Sequence, residues 1–280
     1  MTSPGLTITA TPIGNLDDIS PRAVASLTNA DLIACEDTRH TGLMLSRLGL
    51  KHGRLVSYHD HTSAEARENL LAELENGKAV TLVSDAGTPL ISDPGYRLVK
   101  ACRERGIPVT TVPGPSALLA ALVISGLPTD RFYFAGFLPN TATKRKKTLD
   151  HLMTIDATII CYESARRLGD TIADIALISP QRLCSIAREL TKTFEESWHD
   201  TAANIAEHFR LAGAPKGEVV VMIAPPDALE TDLSDEAILG LLKESLSQGV
   251  SRRDAVRQIS TDTGAGKSRV YELMLTIDTA

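Results

Sequence analysis

Short apolar runs alternate with amphipathic stretches along most of the chain, and this alternation predicts its elements. Leu6–Ala10 (LTITA), Asp31–Cys35, Arg54–Tyr58, Ala79–Val83 and Val109–Val112 read as strands. Helices fall between them. One starts at Ser20-Pro21, with Ser as N-cap and Pro at the first helical position. A second carries Leu43, Leu45 and Leu48 and stops at Gly49. In a third, Thr62 and Glu65 have capping-box spacing ahead of Leu70, Leu71 and Leu74, and Gly77 ends it. A fourth runs from about Pro94 to Arg105. Strands and helices at this interval predict a mostly parallel sheet covered on both faces. At Pro113-Gly114-Pro115 the chain turns into a very apolar helix, Leu118–Ile124, closed by Gly126. A second series of strands follows at Phe132–Phe137, Thr158–Tyr162, Arg182–Ala187 and Glu218–Ile223. Beyond Asp227 the pattern predicts only helices, at Glu236–Leu246, Arg252–Ile259 behind Ser251, and Lys267–Ile277. The expected architecture is therefore an α/β domain over 1–114, a second over 115–228, and a small helical, helix-turn-helix-like domain over 229–280.

The run AVTLVSDAGTPLISDPG, Ala79–Gly95, organises the rest. It passes from a buried strand into a loop holding Asp85, Gly87, Pro89 and Gly95. Carboxyl ends of strands in an open α/β sheet are where ligands bind, and glycines let a ligand approach the main chain. The loop is thus a candidate site for a small polar ligand, with an ordinary strand-to-helix connection as the alternative.

Composition narrows the class. With 43% hydrophobic and 23% charged residues the chain reads as a globular protein. It shows no apolar run of membrane-spanning length and no signal-peptide layout at its start, so a cytoplasmic location is expected. Cys35, Cys102, Cys161 and Cys184 are widely spaced, which predicts neither a disulfide framework nor a zinc site. A net charge of −6 argues against nonspecific coating of nucleic acid, while leaving room for a local basic patch.

Candidate motifs separate into weak and strong. Gly264-Ala265-Gly266-Lys267-Ser268 resembles the end of a P-loop, but Thr261 occupies the slot of its first glycine and no buried strand precedes it. A turn between helices is expected there. His59-Asp60-His61 places two imidazoles on one face if extended, but no third ligand stands nearby in sequence. Neither GxGxxG after a strand nor GxSxG occurs. Lys144-Arg145-Lys146-Lys147 sits at a helix start, where cations are unfavourable, and so points to an anionic partner such as a phosphate backbone, with a merely solvated helix start as the alternative. Arg252 and Arg253 add positive charge to the terminal helices.

Taken in order, Thr11–Leu16 (TPIGNL), Glu36–Arg39 (EDTR), Ser84–Pro89 (SDAGTP), Pro113–Ala117 (PGPSA), Phe137-Leu138-Pro139, Tyr162-Glu163-Ser164 and Arg188–Lys192 (RELTK) resemble the bacterial ribosomal RNA small-subunit methyltransferase I family. That family lies among the tetrapyrrole-methylase-like, class III methyltransferases. The resemblance implies two α/β domains with S-adenosylmethionine in the cleft between them, commonly in a homodimer. It further implies methylation of the ribose 2′-hydroxyl of a cytidine in the decoding region of 16S rRNA, so that the partner is the 30S subunit or its RNA. Cofactor contacts would fall on Pro12, Asp85, Ala86, Gly87, Thr88, Ser116, Ala117, Tyr162, Glu163 and Ala187. RNA contacts would fall on Lys144, Arg145, Lys146 and Lys147, with Arg252 and Arg253. No metal is implied.

A sulfonium carries its own leaving group, so the enzyme must chiefly align the attacking oxygen with the methyl. A nearby base or cation would assist a poorly nucleophilic hydroxyl. Glu36, Asp37, Arg39, Glu163, Arg188, Lys192 and Glu195 are the polar groups near predicted strand ends. Arg39 is the candidate for substrate positioning and Glu163 or Lys192 for catalysis, with mutual pairing at the domain interface as the competing role. The rival functions are a tetrapyrrole methylase, a non-catalytic ribosome- or RNA-binding factor, and an NTPase using Gly266-Lys267-Ser268.

Overall fold

The computed structural model describes residues 4–59, 62–226, 234–263 and 265–277. In the first α/β unit the order is β1 (Gly5–Thr9), α1 (Pro21–Asn29), β2 (Leu32–Cys35), α2 (Thr38–Arg47), β3 (Arg54–Ser57), α3 (Ala64–Glu75), β4 (Ala79–Leu82), α4 (Tyr96–Glu104) and β5 (Val109–Val112). The five strands form one parallel sheet in the order β3-β2-β4-β1-β5. Successive residues of a strand face opposite sides. Accordingly Leu32 and Ala34 join the core under α3 and α4, with Leu71 and Leu98, while Ile33 and Cys35 join the core with Leu27 and Leu45 of α1 and α2.

Local signals set most helix starts. The Ser20 hydroxyl accepts from the Ala23 amide at 3.1 Å, as expected for an N-cap. The cap of α3 is Ser63, which accepts from Ala66, and not Thr62. The Thr62 hydroxyl instead accepts from the His59 amide at 2.7 Å, closing the preceding turn.

The second unit runs α5 (Ala117–Ile124), β6 (Phe132–Phe137), α6 (Ala142–Leu152), β7 (Thr158–Ser164), α7 (Ala165–Ile178), β8 (Leu183–Arg188), β9 (Glu196–Thr201), α8 (Ala202–Ala212) and β10 (Glu218–Ile223). Its sheet, β6-β7-β10-β8-β9, is mixed: β6 and β7 are parallel, and the other neighbours antiparallel. Strand β9 is absent from the sequence prediction. It is an edge strand, ESWHDT, with mostly exposed side chains, so it lacks the apolar run that marks the other strands. Between Phe134 and Gly136 the β6–β7 register shifts, with Gly136 at φ 65.

Helices α9 (Asp235–Ser247), α10 (Arg252–Thr263) and α11 (Lys267–Thr276) enclose their own core of Ile238, Leu242, Val256, Val270 and Met274. Ala265 is buried in that core and Gly266 is the N-cap of α11, so Ala265–Ser268 serves as a turn and helix start; Gly264 lies outside the described residues. Asp60 and His61 lie outside them too, and no group of three potential metal ligands occurs among the described residues. All four cysteines are free and buried. Burial pushes the Cys161 and Cys184 thiols up to about 12 and Cys102 to about 11, which leaves them protonated near neutral pH.

Candidate active site

Three loops leave the carboxyl ends of β1, β4 and β5, and hydrogen bonds join them into one rim. Thr11 and Gly87 exchange backbone bonds of 2.9 and 3.0 Å. The Thr11 hydroxyl donates to the Ser84 carbonyl at 3.2 Å, and the Thr88 hydroxyl to the Pro115 carbonyl at 3.0 Å. Gly87 is at φ 77, a conformation glycine adopts without strain. Ile13 of the first rim then packs with Leu118, Leu122, Leu190, Val220 and Met222, which ties the rim to α5 and the second sheet.

The result is a cavity of about 380 Å³ between the rim and the facing ends of β7, β8 and β10. A cavity of this size suits a small-molecule ligand. Ala86, Gly87, Thr88, Ser116, Ala117, Tyr162, Glu163 and Ala187, all expected from the sequence, line it. Pro12 and Asp85 do not; each stands next to a lining residue. The Asp85 carboxylate accepts from the Asp37 amide at 3.3 Å and so links the β4 loop to the start of α2. The sequence reading missed Ile13, Ile91–Asp93, Phe137, Ser164, Leu190 and Gly217–Val220 on the wall. Ile13, Phe137, Ser164 and Leu190 belong to segments quoted for the resemblance, so a signal existed for them. Gly217–Val220 carried none, because its place depends on pairing β10 with β7.

The wall carries charge of both signs. Helix α5 starts without a side-chain cap at Ser116, and Ser116 and Ala117 line the cavity, so the positive end of the helix favours an anionic group there. Asp93 and Glu218 supply negative charge elsewhere on the wall. Tyr162 stacks edge-on against Phe134 and Phe137, with ring centroids 4.9 and 5.6 Å away. Burial raises the Tyr162 phenol pKa, opposed by a hydrogen bond with the Leu118 backbone, so the phenol stays neutral.

Backbone strain collects here as well. Leu90 (φ 73), Ser92 (φ 64), Glu189 (φ 49) and Thr191 (φ 65) are the non-glycine residues at positive φ among the described residues. All four lie in the two loops that contribute Ile91–Asp93 and Leu190 to the wall. Each such residue costs on the order of 1–3 kcal/mol, a pattern that gathers at functional sites. The second loop rests on Gly14: a Cβ there would stand 2.5 Å from Lys192 Cγ, 2.9 Å from Thr191 Oγ1 and 3.1 Å from the Leu190 carbonyl.

The polar candidates occupy different settings. The Glu163 side chain is fully buried. It accepts from the Ser164 amide at 2.8 Å and the Thr171 hydroxyl at 2.7 Å, and pairs with Arg167 at 3.3 Å. Arg167 in turn donates to the carbonyls of Leu138 and Pro139 and to Asn140 Oδ1. Lys192 bonds Glu189 at 2.9 Å and Glu218 at 3.0 Å. Burial alone would lower its pKa, but the two carboxylates prevail and raise it. Arg39 is 90% exposed at its side chain and forks onto Asp37, the chelation holding Asp37 well below the usual carboxylate range.

In the basic run, Lys144, Lys146 and Lys147 are exposed on α6. Arg145 departs from the expectation. It is buried, its Nε 2.7 Å from Asp174 Oδ2 of α7, because its place on the helix turns it inward against α7. Arg252 and Arg253 are exposed on the first turn of α10.

A profile of the family described as tetrapyrrole (corrin/porphyrin) methylases matches residues 5–206. A ribosomal RNA small subunit methyltransferase I of Mesorhizobium japonicum is 44% identical, over 97% of this chain and 92% of its own. Another, from Synechocystis, is 42% identical over 98% of both chains. Among solved structures, a uroporphyrin-III C-methyltransferase of Thermus thermophilus complexed with S-adenyl homocysteine aligns with a TM-score of 0.50 at 20% identity, covering 78% of this chain and 95% of its own. That likeness speaks to fold alone, whereas the end-to-end identity to the ribosomal enzymes speaks to lineage. The chain belongs to the tetrapyrrole methylase family and, within it, to the ribosomal RNA small subunit methyltransferase I branch.

Proposed function

We propose that this protein is an S-adenosylmethionine-dependent methyltransferase of small-subunit ribosomal RNA, acting on the ribose 2′-hydroxyl of a cytidine in the decoding region of 16S rRNA. The observation that carries the reading is the cavity of about 380 Å³ where the rim of a parallel sheet meets the ends of a second sheet, in a chain over 40% identical to ribosomal enzymes along its length. The cavity fits the cofactor by its charge layout. S-adenosylmethionine carries a carboxylate alongside cationic sulfonium and ammonium groups, matching in sign the uncapped α5 terminus and the Asp93 and Glu218 carboxylates of the wall.

When bound, the cofactor supplies an electrophilic methyl and its own leaving group. The backbone of Ala86–Thr88, the start of α5 and the Tyr162–Phe137 wall would hold it and exclude water. Asp93 and Glu218, the wall carboxylates other than the engaged Glu163, are the candidates to receive the hydroxyl proton of the acceptor. Glu163 is read as an orienting group, because its oxygens are already engaged by Ser164, Thr171 and Arg167. Lys192 anchors Glu218 in the wall, and Arg39 positions RNA from the exposed start of α2. Exposed Lys144, Lys146, Lys147, Arg252 and Arg253 meet the RNA backbone.

The domain limits proposed are 1–114, 115–228 and 229–280, with a cytoplasmic location and a homodimer as the working state. Leu119, Val123 and Ile124, exposed on α5, and Phe132 and Tyr133, exposed on the edge strand β6, offer apolar surface for a second copy. No described helix is long and apolar enough to cross a membrane. Incubating 30S subunits with the protein and methyl-labelled cofactor, then mapping ribose methylation, tests the reading. Label on a cytidine 2′-oxygen in the decoding region is expected, and its absence overturns the proposal.

A further inference from the structure

A second cavity, about 90 Å³, opens at the outer rim of the first sheet and is lined by Tyr58, His59, Thr62, Arg67, Tyr96 and Arg97. It shares no lining residue with the large cavity. The two are nonetheless neighbours through one segment. Ile91–Asp93 line the large cavity, and Gly95–Arg97, a few residues on, line the small one.

The chemistry of this hollow is that of a donor set awaiting an anion. Arg67 comes from α3 and Arg97 from the first turn of α4. Among the described residues neither guanidinium forms an ion pair. Glu68, the carboxylate beside Arg67 in sequence, is held by Arg105 at 2.5 Å. The start of α4 adds to the imbalance: Gly95 (φ 136) gives no side-chain cap, and the first turn holds no acidic residue. A cation at the positive end of a helix is unfavourable, and an anion placed between them relieves both. The Thr62 hydroxyl, which accepts from the His59 amide, still has its own proton to donate, and Tyr58 and Tyr96 provide aromatic surface. The hollow is far smaller than the usual small-molecule pocket, a size that suits a single phosphodiester group better than a nucleoside.

We propose that this cavity binds a backbone phosphate of the RNA strand that delivers its ribose to the large cavity. The inference rests on the RNA-methyltransferase reading above, and adds to it a docking point on the first domain, apart from the basic face of α6 and the terminal helices. The Ile91–Arg97 segment gives the reason for the pairing: it lines the large cavity at one end and the small one at the other, so a strand that delivers its sugar to the first has a phosphate to offer the second. With a chain net charge of −6, RNA is drawn to local cationic patches, and this hollow is one of them.

The test compares the intact protein with the Arg67→Ala/Arg97→Ala double variant for binding to 30S subunits across a salt series, with cofactor affinity measured in parallel by calorimetry. Loss of the contact should weaken RNA binding about tenfold at low salt, and reduce the slope of log affinity against log salt by about one. Cofactor affinity should be unchanged. An Arg67→Lys/Arg97→Lys variant keeps the charge without the forked donors, and should retain the slope while losing part of the affinity. Unchanged RNA affinity and slope in the alanine variant would overturn the proposal, as would an equal loss of cofactor binding. If the intact protein transfers no methyl to 30S subunits, the function reading fails instead; transfer with an unaffected alanine variant sinks only the phosphate site.

Discussion

At the residue scale, close contacts and buried charge decide which substitutions matter. Gly14 is the floor on which the strained Glu189–Lys192 loop rests, and a methyl there meets the Leu190 carbonyl at 3.1 Å. Gly14→Ala should cost about 1–3 kcal/mol as overpacking and weaken cofactor binding, since Leu190 is part of the wall. Denaturant unfolding and calorimetry check the two effects separately. Arg167→Ala should be more damaging. It strands the fully buried Glu163 carboxylate and frees the Leu138–Asn140 turn, a loss of about 3–5 kcal/mol. Arg167→Lys should recover only part of this, because an ammonium cannot reach Glu163, two carbonyls and Asn140 in one plane. The sequence marked Glu163 and left Arg167 unmarked. Its importance comes from a four-way contact between β7, α7 and the loop after β6, which no local pattern reveals.

At the element scale, helix α6 separates four consecutive cations by facing. Lys144→Ala/Lys147→Ala should lower affinity for 30S subunits with little change in stability, as both are exposed. Arg145→Ala should do the reverse: it leaves Asp174 buried without its main partner, costs about 3–5 kcal/mol and shifts the unfolding midpoint. Parallel filter-binding and unfolding measurements distinguish the two. The loop after β8 carries a pH signature. Glu189 is depressed, first by the Glu218 amide and then, against some burial, by Lys192. Its contribution is therefore present above the ordinary carboxylate pKa and lost as pH falls below it. Lys192 is raised, so its contribution persists at neutral pH and is lost only as alkali passes its elevated pKa. Glu189→Gln should flatten the acid limb of stability below about pH 4.5, read from unfolding midpoints across pH. Strands β1, β2, β4, β7 and β10 were legible because they are buried and apolar, whereas β9, a polar edge strand, was not.

At the scale of the whole molecule, the terminal helices form a separate core behind the second sheet in sequence. Truncation after Pro226 should leave cofactor affinity near that of the full chain and reduce methyl transfer to 30S subunits; loss of cofactor binding would show that the third unit supports the cleft. By itself the sequence determined the alternation of strands and helices, the parallel character of the first sheet and the family, and it marked the loop after β4 as a candidate ligand site. Each of these is written in local periodicity or in contiguous motifs, so neighbours along the chain carry the information. Tertiary structure alone decided that β10 runs between β7 and β8, bringing Gly217–Val220 to the cavity, that Arg145 turns inward while its neighbours face solvent, and that Arg67 and Arg97 share one hollow. The reason is physical: burial, pairing and charge balance at those positions depend on segments distant in sequence, and they exist only once those segments have packed.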